Sequence, residues 1–302
     1  AFGNGQAKNG VRVKNAGDIS GGSQGRINRD KANHSISYLT AAEAANYALD
    51  KQIPNYRENT LRTTAGDVKN LITRTGDYRK SHHISQYTIT QDDGQRMVYG
   101  IPVYNTTQEE VSFAIPYNAT ALDKGITQYN PGSDNSQNNV HGKDNYFHRY
   151  TTPAYTTGHL LSAILSPDYV DLTNNGISDD DLGTTVKFNY SQLSDINGNP
   201  QYYKWRTPYS NEFSNNNIAN YNEGYRSITD DDKANYTWGK KELWYVHSIE
   251  TKSMVAQFYT EERKDGIGVQ GENGGKDLSV KLRRLSEIRL YSKSDLYLNG
   301  VN

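Results

Sequence analysis

From about residue 83 onward, apolar and polar residues alternate with a period of two in successive segments, and turns and loops mark the breaks between them. Ser85, Tyr87 and Ile89 alternate with polar neighbours, Asp93-Gly94 forms a tight turn, and Met97, Tyr99, Ile101 and Val103 line one face of the returning strand. Val111, Phe113 and Ile115 predict a third strand after a turn at Asn105-Thr106-Thr107, which gives a meander over residues 83–116. His159 to Leu165 is the most apolar run; Val186, Phe188 and Tyr190 predict a strand, Asp195-Ile196-Asn197-Gly198 a turn, and Tyr202 to Trp205 its return. A second hairpin runs from Leu243, Tyr245, His247 and Ile249 across Glu250-Thr251-Lys252 to Met254, Ala256 and Phe258. The Gly-rich stretch 265–276 reads as a loop, and Ile288, Leu290 and Tyr291 as a last strand.

Helical signals are confined to the N-terminal part. Thr40-Ala41-Ala42-Glu43 has the form of a capping box, in which hydroxyl and carboxylate satisfy each other's orphan amides, and Ala42, Ala45 and Leu49 follow at helical spacing, so a helix is expected over 41–50. Asp67 ahead of Val68, Leu71 and Ile72 predicts a second short helix, stopped near Gly76. Residues 1–35 read as an irregular entry and 129–146 as a long surface loop without core positions. The expected fold is mainly β, with antiparallel meander- and hairpin-rich sheets and a small helical N-terminal part. An irregular and helical segment, 1–80, would precede a β-rich domain, 81–302.

Between two of these β elements lies Asp171-Leu172-Thr173-Asn174-Asn175-Gly176-Ile177-Ser178-Asp179, with oxygen-bearing groups at every second position around a turn glycine. Ca²⁺ takes six to eight oxygens, and a tight loop supplies them from its first, third, fifth and ninth side chains and its seventh carbonyl. Asp171, Thr173, Asn175, Asp179 and the carbonyl of Ile177 fill those places, so Ca²⁺ is the expected cofactor. The twelfth position is Leu182 rather than a bidentate Glu, and a strand pattern follows, unlike an EF-hand. The competing reading is an Asn-Gly turn followed by a solvated acidic run, Asp179-Asp180-Asp181.

Composition narrows the partners. The 302 residues hold 33 basic and 34 acidic side chains for a net charge of −1, which offers no electrostatic footprint for nucleic acid or for a membrane surface. Only 34% are hydrophobic, yet 24 tyrosines supply large amphipathic contact area, so a folded chain with a Tyr-rich interior is expected. The absence of cysteine removes disulfides, thiolate metal sites and thiol nucleophiles. No run reaches the roughly 18 apolar residues of a membrane span. Ala1-Phe2-Gly3-Asn4 does not read as a signal peptide, which predicts either a cleaved signal or a chain cut from something longer.

Other chemistry-bearing residues read more simply. His82 and His83 point to opposite faces of a strand and so do not grip one ion, and His247 shares its alternating face with Tyr245 and Ile249. Glu242 and Glu250 carry no special weight as a carboxylate pair, and Gly266-Ile267-Gly268-Val269-Gln270-Gly271 lacks the helix that a dinucleotide loop requires. Asp230-Asp231-Asp232-Lys233 reads as a solvated turn. Tyr202, Tyr203, Trp205, Trp238, Trp244 and Tyr245 read as core and cross-strand pairs, with a sugar-stacking platform as the alternative. No catalytic residue is assigned, and the expectation is a non-enzyme.

Three stretches carry a resemblance. They are Pro153-Ala154-Tyr155 through Leu165-Ser166-Pro167-Asp168-Tyr169-Val170-Asp171 followed by Gly176-Ile177-Ser178-Asp179-Asp180-Asp181-Leu182-Gly183 and Val186-Lys187-Phe188-Asn189-Tyr190; Met97-Val98-Tyr99-Gly100-Ile101-Pro102-Val103-Tyr104-Asn105; and Lys241-Glu242-Leu243-Trp244-Tyr245-Val246-His247-Ser248-Ile249-Glu250. Together they resemble a region of very large exported surface proteins of Bacteroidota-type bacteria, Rhs-like or gliding-associated and exported by the type 9 secretion route. The resemblance implies a structural or adhesive segment of an extracellular, cell-surface polypeptide. Its partners would be other segments or copies of a large surface assembly, together with glycans or outer-membrane proteins. A glycan-binding β module and a wall segment of an Rhs-like toxin shell are the alternatives.

Overall fold

The computed structural model describes residues 34–61, 67–116, 125–210, 217–225, 227–228 and 230–296. The irregular entry expected for 1–35 therefore lies outside the described residues, apart from His34 and Ser35. Chain order is β1 (His34–Thr40), α1 (Ala41–Tyr47), β2 (Ile53–Tyr56), β3 (Val68–Ile72), β4 (Ile84–Gln91), β5 (Arg96–Ala114), β6 (Ile126–Tyr129), β7 (Phe147–Thr152), β8 (Tyr155–Leu165), β9 (Thr185–Gln192), β10 (Tyr203–Thr207), β11 (Asn217–Asn222), β12 (Lys233–Lys241), β13 (Trp244–Glu250), β14 (Met254–Gly271) and β15 (Gly274–Ser292). The fold is mainly β and antiparallel.

The capping box forms as expected. The Thr40 amide donates to Glu43 Oε2 at 2.9 Å, the Glu43 amide donates to Thr40 Oγ1 at 3.3 Å, and Ala41 and Ala44 face inward. The second helix does not form, because Val68–Ile72 is strand β3, paired with β2 from Ile53↔Ile72 to Tyr56↔Val68. Five residues are too few to repay helix nucleation, while β-branched ends suit a strand. Ile53 of this hairpin packs with Ile101 and Tyr190 of the main sheet, and β1 pairs with β4 from His34↔Gln91 to Thr40↔Ile84. The described part of 1–80 is thus woven into the β-rich remainder.

Strand β5 organises the sheet. β8 runs along its first half and β7 along its second on one edge, while β4 and β12 take the other. The expected turn at Asn105-Thr106-Thr107 is absent and the strand runs straight through. Asn105 is buried and donates to Gln108 Oε1 at 3.0 Å and to the Tyr155 hydroxyl at 3.1 Å, and Thr106 donates to the Lys240 carbonyl at 3.1 Å. With no glycine present, nothing there takes the positive φ of a hairpin turn. The buried face of β5 also differs from the expected one. Val98 and Tyr104 are buried, Met97, Tyr99 and Val103 are half-buried, and Ile101 reaches the core because register shifts flank Tyr99.

Three further expectations change. β10 pairs with β12 instead of returning along β9. The Gly-rich stretch is no loop: β14 and β15 form one long hairpin through it, and a Cβ at Gly268 would lie 2.6 Å from the Lys204 carbonyl, so the missing side chain lets β14 lie across β10. The loop 129–146 is irregular but not coreless. Asp134, Asn135 and Asn139 are buried in it; Asn139 Nδ2 donates to the Ala114 carbonyl at 2.9 Å, and Asn135 Nδ2 to the Tyr236 hydroxyl at 2.7 Å.

Candidate functional site

β8 ends at Leu165 and β9 begins at Thr185, and a bridge between Val170 and Leu182 closes the loop that holds the expected calcium ligands. Asn174 and Gly176 both take positive φ, and a Cβ at Gly176 would stand 2.5 Å from the Leu49 carbonyl, so the Asn-Gly reading of the bend holds. Ile177 turns its side chain into the core beside Val98, Ala163, Leu165 and Tyr169.

The loop is braced chiefly by Asp181, buried at 2% exposure, which the sequence presents as one more member of a solvated acidic run. Its carboxylate accepts from the Tyr169 hydroxyl at 2.8 Å, the Ser178 amide at 2.9 Å and the Leu172 amide at 3.3 Å. Burial first, and then this carboxylate, pushes the Tyr169 hydroxyl up, so it stays a donor. Asp180 is exposed; the Ser178 hydroxyl, ahead of other donors, holds its carboxyl below the usual range.

The five expected ligands separate into two groups. Asn175, Ile177 and Asp179 line a pocket of about 330 Å³ together with Lys187, Glu250 and Lys293. The Ile177 carbonyl accepts from Lys187 Nζ at 3.1 Å, and Asp179 is ion-paired with Lys293 Nζ, which lies 3.7 Å from Glu250 Oε2. Asp171 and Thr173 are not on that wall. Asp171 Oδ2 accepts the Gly176 amide at 3.2 Å, Thr173 donates to Asp180 Oδ2 at 3.1 Å, and Asn175 Oδ1 accepts from Ser178 at 3.0 Å. The fit to Ca²⁺ is therefore partial. Asp171 keeps a buried Oδ1 without a hydrogen-bond partner, as a ligand oxygen would, whereas Ile177 and Asp179 each already meet a lysine ammonium. Among the described residues, no group of three or more His, Cys, Asp or Glu side chains is placed to hold a metal ion.

The remaining polar residues are tied into the framework. His247, 1% exposed, stacks on Tyr56 at 5.2 Å, with Nδ1 3.0 Å from Ser248 Oγ and Nε2 3.1 Å from Gln257 Nε2. His82 and His83 do not point to opposite faces of a strand as expected: they lie in the turn ahead of β4, where nothing enforces strand alternation, and their rings meet edge to face at 4.9 Å. Burial first, and then the charges of His82 and Lys80, lowers the His83 pKa. The aromatic set does not share one face. Trp205 lies opposite Gly239 while Trp238 lies opposite Arg206, one residue out of phase; Trp238 Nε1 donates to Glu109 and Trp244 Nε1 to Glu242. Asp231 accepts the Tyr225 amide within the turn, and Asp232 accepts the Tyr221 hydroxyl from β11. Sequence reading also passed over Glu242, whose fully buried carboxylate pairs with Arg79 at 2.6 Å. No protein-family model, curated protein or solved structure is significantly similar to this chain.

Proposed function

We propose that this chain is a non-catalytic structural or adhesive segment of a large, secreted cell-surface protein that works by joining its β-sheet to neighbouring material. The observation that carries this reading is a margin of the sheet that no other strand among the described residues covers. All seven residues from Arg284 to Leu290 on β15 are exposed, and β1 exposes Ile36 and Tyr38. Exposed strand edges bearing large apolar side chains are the surfaces on which sheets add strands. Internal ion pairs such as Arg79–Glu242 brace the scaffold without disulfides. The test is the intact mass and peptide map of the protein from its native source. A chain longer than 302 residues, found at the cell surface, is expected; a mature protein of only 302 residues, or one retained in the cytoplasm, would overturn the reading.

Calcium belongs to this proposal as a weak ligand that competes with lysine. Binding at Asp171, Thr173, Asn175, Ile177 and Asp179 requires Lys293 to leave Asp179 and Lys187 to leave the Ile177 carbonyl. If the affinity is that of extracellular modules, with a Kd of about 10⁻⁴–10⁻³ M, a tenfold excess of Ca²⁺ stabilises the fold by about 1.4 kcal/mol. Thermal unfolding with Ca²⁺ and with chelator measures this, and Lys293→Met should enlarge the difference by freeing Asp179. Identical midpoints in both proteins would remove calcium from the proposal.

A further inference from the structure

The exposed stretch of β15 has a feature that decides what it can pair with. Among the described residues β15 pairs as a strand with β14 alone; the Arg283 amide is taken by the Tyr245 hydroxyl at 3.0 Å, and from Arg284 to Leu290 the outer edge carries unpaired backbone groups. Leu285, Ile288 and Leu290 are 53%, 54% and 67% exposed there, interleaved with Arg284, Glu287 and Arg289. Charges on an edge strand ordinarily repel a second strand. Here their order makes one partner an exception.

We propose that this edge pairs antiparallel with the same edge of a second copy of the chain, about a two-fold axis passing between the two Ile288 residues. The proposal rests on the assembly reading above and names the partner surface. In an antiparallel pair, opposed side chains point to the same side of the sheet, so a two-fold perpendicular to the sheet must pass between two copies of one residue. The candidate registers can then be compared. Centring on Glu287 or on Arg289 sets identical charges against each other. Centring on Ser286 sets Arg283 against Arg289 of the second copy, and centring on Arg284 sets arginine against arginine. Centring on Leu285 or Leu290 carries the pairing out of the exposed stretch, to Arg283, whose amide the Tyr245 hydroxyl takes, or to Lys293, which is buried.

Centring on Ile288 opposes Glu287 to Arg289 of the second copy on both sides of the axis, packs Ile288 on Ile288, and places Leu290 over Ser286. Within each strand Arg289 Nε already meets Glu287 Oε1 at 2.8 Å, so the four charges would form a square of alternating sign. A strand that lacks an opposite pair of charges at this two-residue spacing would leave Glu287 and Arg289 unmatched, which favours the edge's own copy. The bonded stretch is short. A register shift between Tyr259 and Thr260 leaves Ser286 as an extra residue on β15 and ends regular pairing there. Five residues on each side bury less than the about 1,200 Å² of a stable interface, so the contact is weak in isolation and gains strength when many copies are held together.

Sedimentation analysis of the folded chain at concentrations up to about 1 mM, the range of a weak contact, tests this. A monomer–dimer equilibrium is expected. Ile288→Lys should abolish it, with Leu290→Lys as the substitute if circular dichroism shows that Ile288→Lys has lost its fold. Glu287→Arg and Arg289→Glu should each be monomeric alone, because like charges then face across the axis. An equimolar mixture of the two should recover dimerisation as a heterodimer, with the two arginines of one copy against the two glutamates of the other.

A purely structural role for these residues would not produce rescue on mixing. A monomer at every concentration, a dimer untouched by these substitutions, or a mixture that stays monomeric would overturn the proposal. Such a result beside a native chain longer than 302 residues removes the self-pairing of this edge alone, whereas a native chain of 302 residues removes the assembly reading itself.

Discussion

Replacing Glu242 by Ala is expected to lower the unfolding free energy by about 3–5 kcal/mol, the cost of breaking one side of a buried ion pair. Oε1 accepts from the Tyr78 hydroxyl at 2.5 Å, Arg79 at 2.6 Å and Gln192 at 3.4 Å; Oε2 accepts from the Tyr104 amide at 3.1 Å and Trp244 Nε1 at 3.3 Å. The carboxylate thus joins the 78–79 loop to β5, β9 and β13. Its removal leaves the Arg79 guanidinium, 4% exposed between the rings of Tyr78 and Tyr104, without an anion. Burial first, and then this carboxylate, raises the Tyr78 pKa, so the tyrosine stays protonated and donating across the ordinary pH range.

Urea unfolding is the measurement, with Glu261→Ala as the control. Glu261 also meets an arginine, Arg284 at 2.6 Å, but their side chains are 50% and 68% exposed, where such a pair contributes about 0–1 kcal/mol. The combined change Arg79→Met with Glu242→Leu should cost less than Glu242→Ala, since no charge is left buried alone. A Glu242→Ala protein no less stable than the Glu261→Ala protein would refute the argument.

Phe113→Ala should cost a comparable amount, about 3–5 kcal/mol, through lost burial and the cavity left behind. Phe113 is fully buried in the cluster that joins β5, β6, β11 and β12, with Tyr129 tilted against it at 5.0 Å and Tyr236 edge-on at 6.1 Å. Relaxation into the space is limited because Tyr129 and Tyr236 are each hydrogen-bonded elsewhere, Tyr129 to Arg206 and Tyr236 to Asn135. Leu290→Ala, at a position 67% exposed, should fall within about 0.5 kcal/mol of the unchanged protein in dilute solution. Chemical unfolding of the two variants compares them directly. Equal losses would mean that this cluster is not the core of that half of the sheet.

What could be read from the candidate loop was its local shape. Gly176 bends at positive φ because an Asn-Gly pair has few other places to go, and Asp171 reaches the Gly176 amide five residues away. The role of Asp181 was hidden, because three consecutive aspartates look alike until Tyr169 and the loop amides close over one of them. Lys293 on Asp179 is a contact 114 residues distant, and no local pattern encodes it. The same division explains β5. Both of its faces carry apolar residues between Met97 and Tyr104, so period-two counting could not choose between them, and the bulges that settled the matter depend on pairing with β8.

The sequence by itself determined the strand-rich antiparallel class, the Thr40–Glu43 cap, the turns at Asp93-Gly94 and Asp195 to Gly198, and the hairpin across Thr251. These rest on hydrogen bonds between residues a few positions apart and on the backbone freedom of single residues, which the chain carries wherever it goes. Tertiary structure decided that β3 is a strand, that β10 lies on β12, that the Gly-rich stretch continues two strands, and that Glu242 and Asp181 are buried anchors. Each of these depends on which distant surface happens to lie alongside. A short segment takes the conformation that satisfies its backbone against that neighbour, and a carboxylate becomes structural only when burial removes the water that would otherwise have bound it.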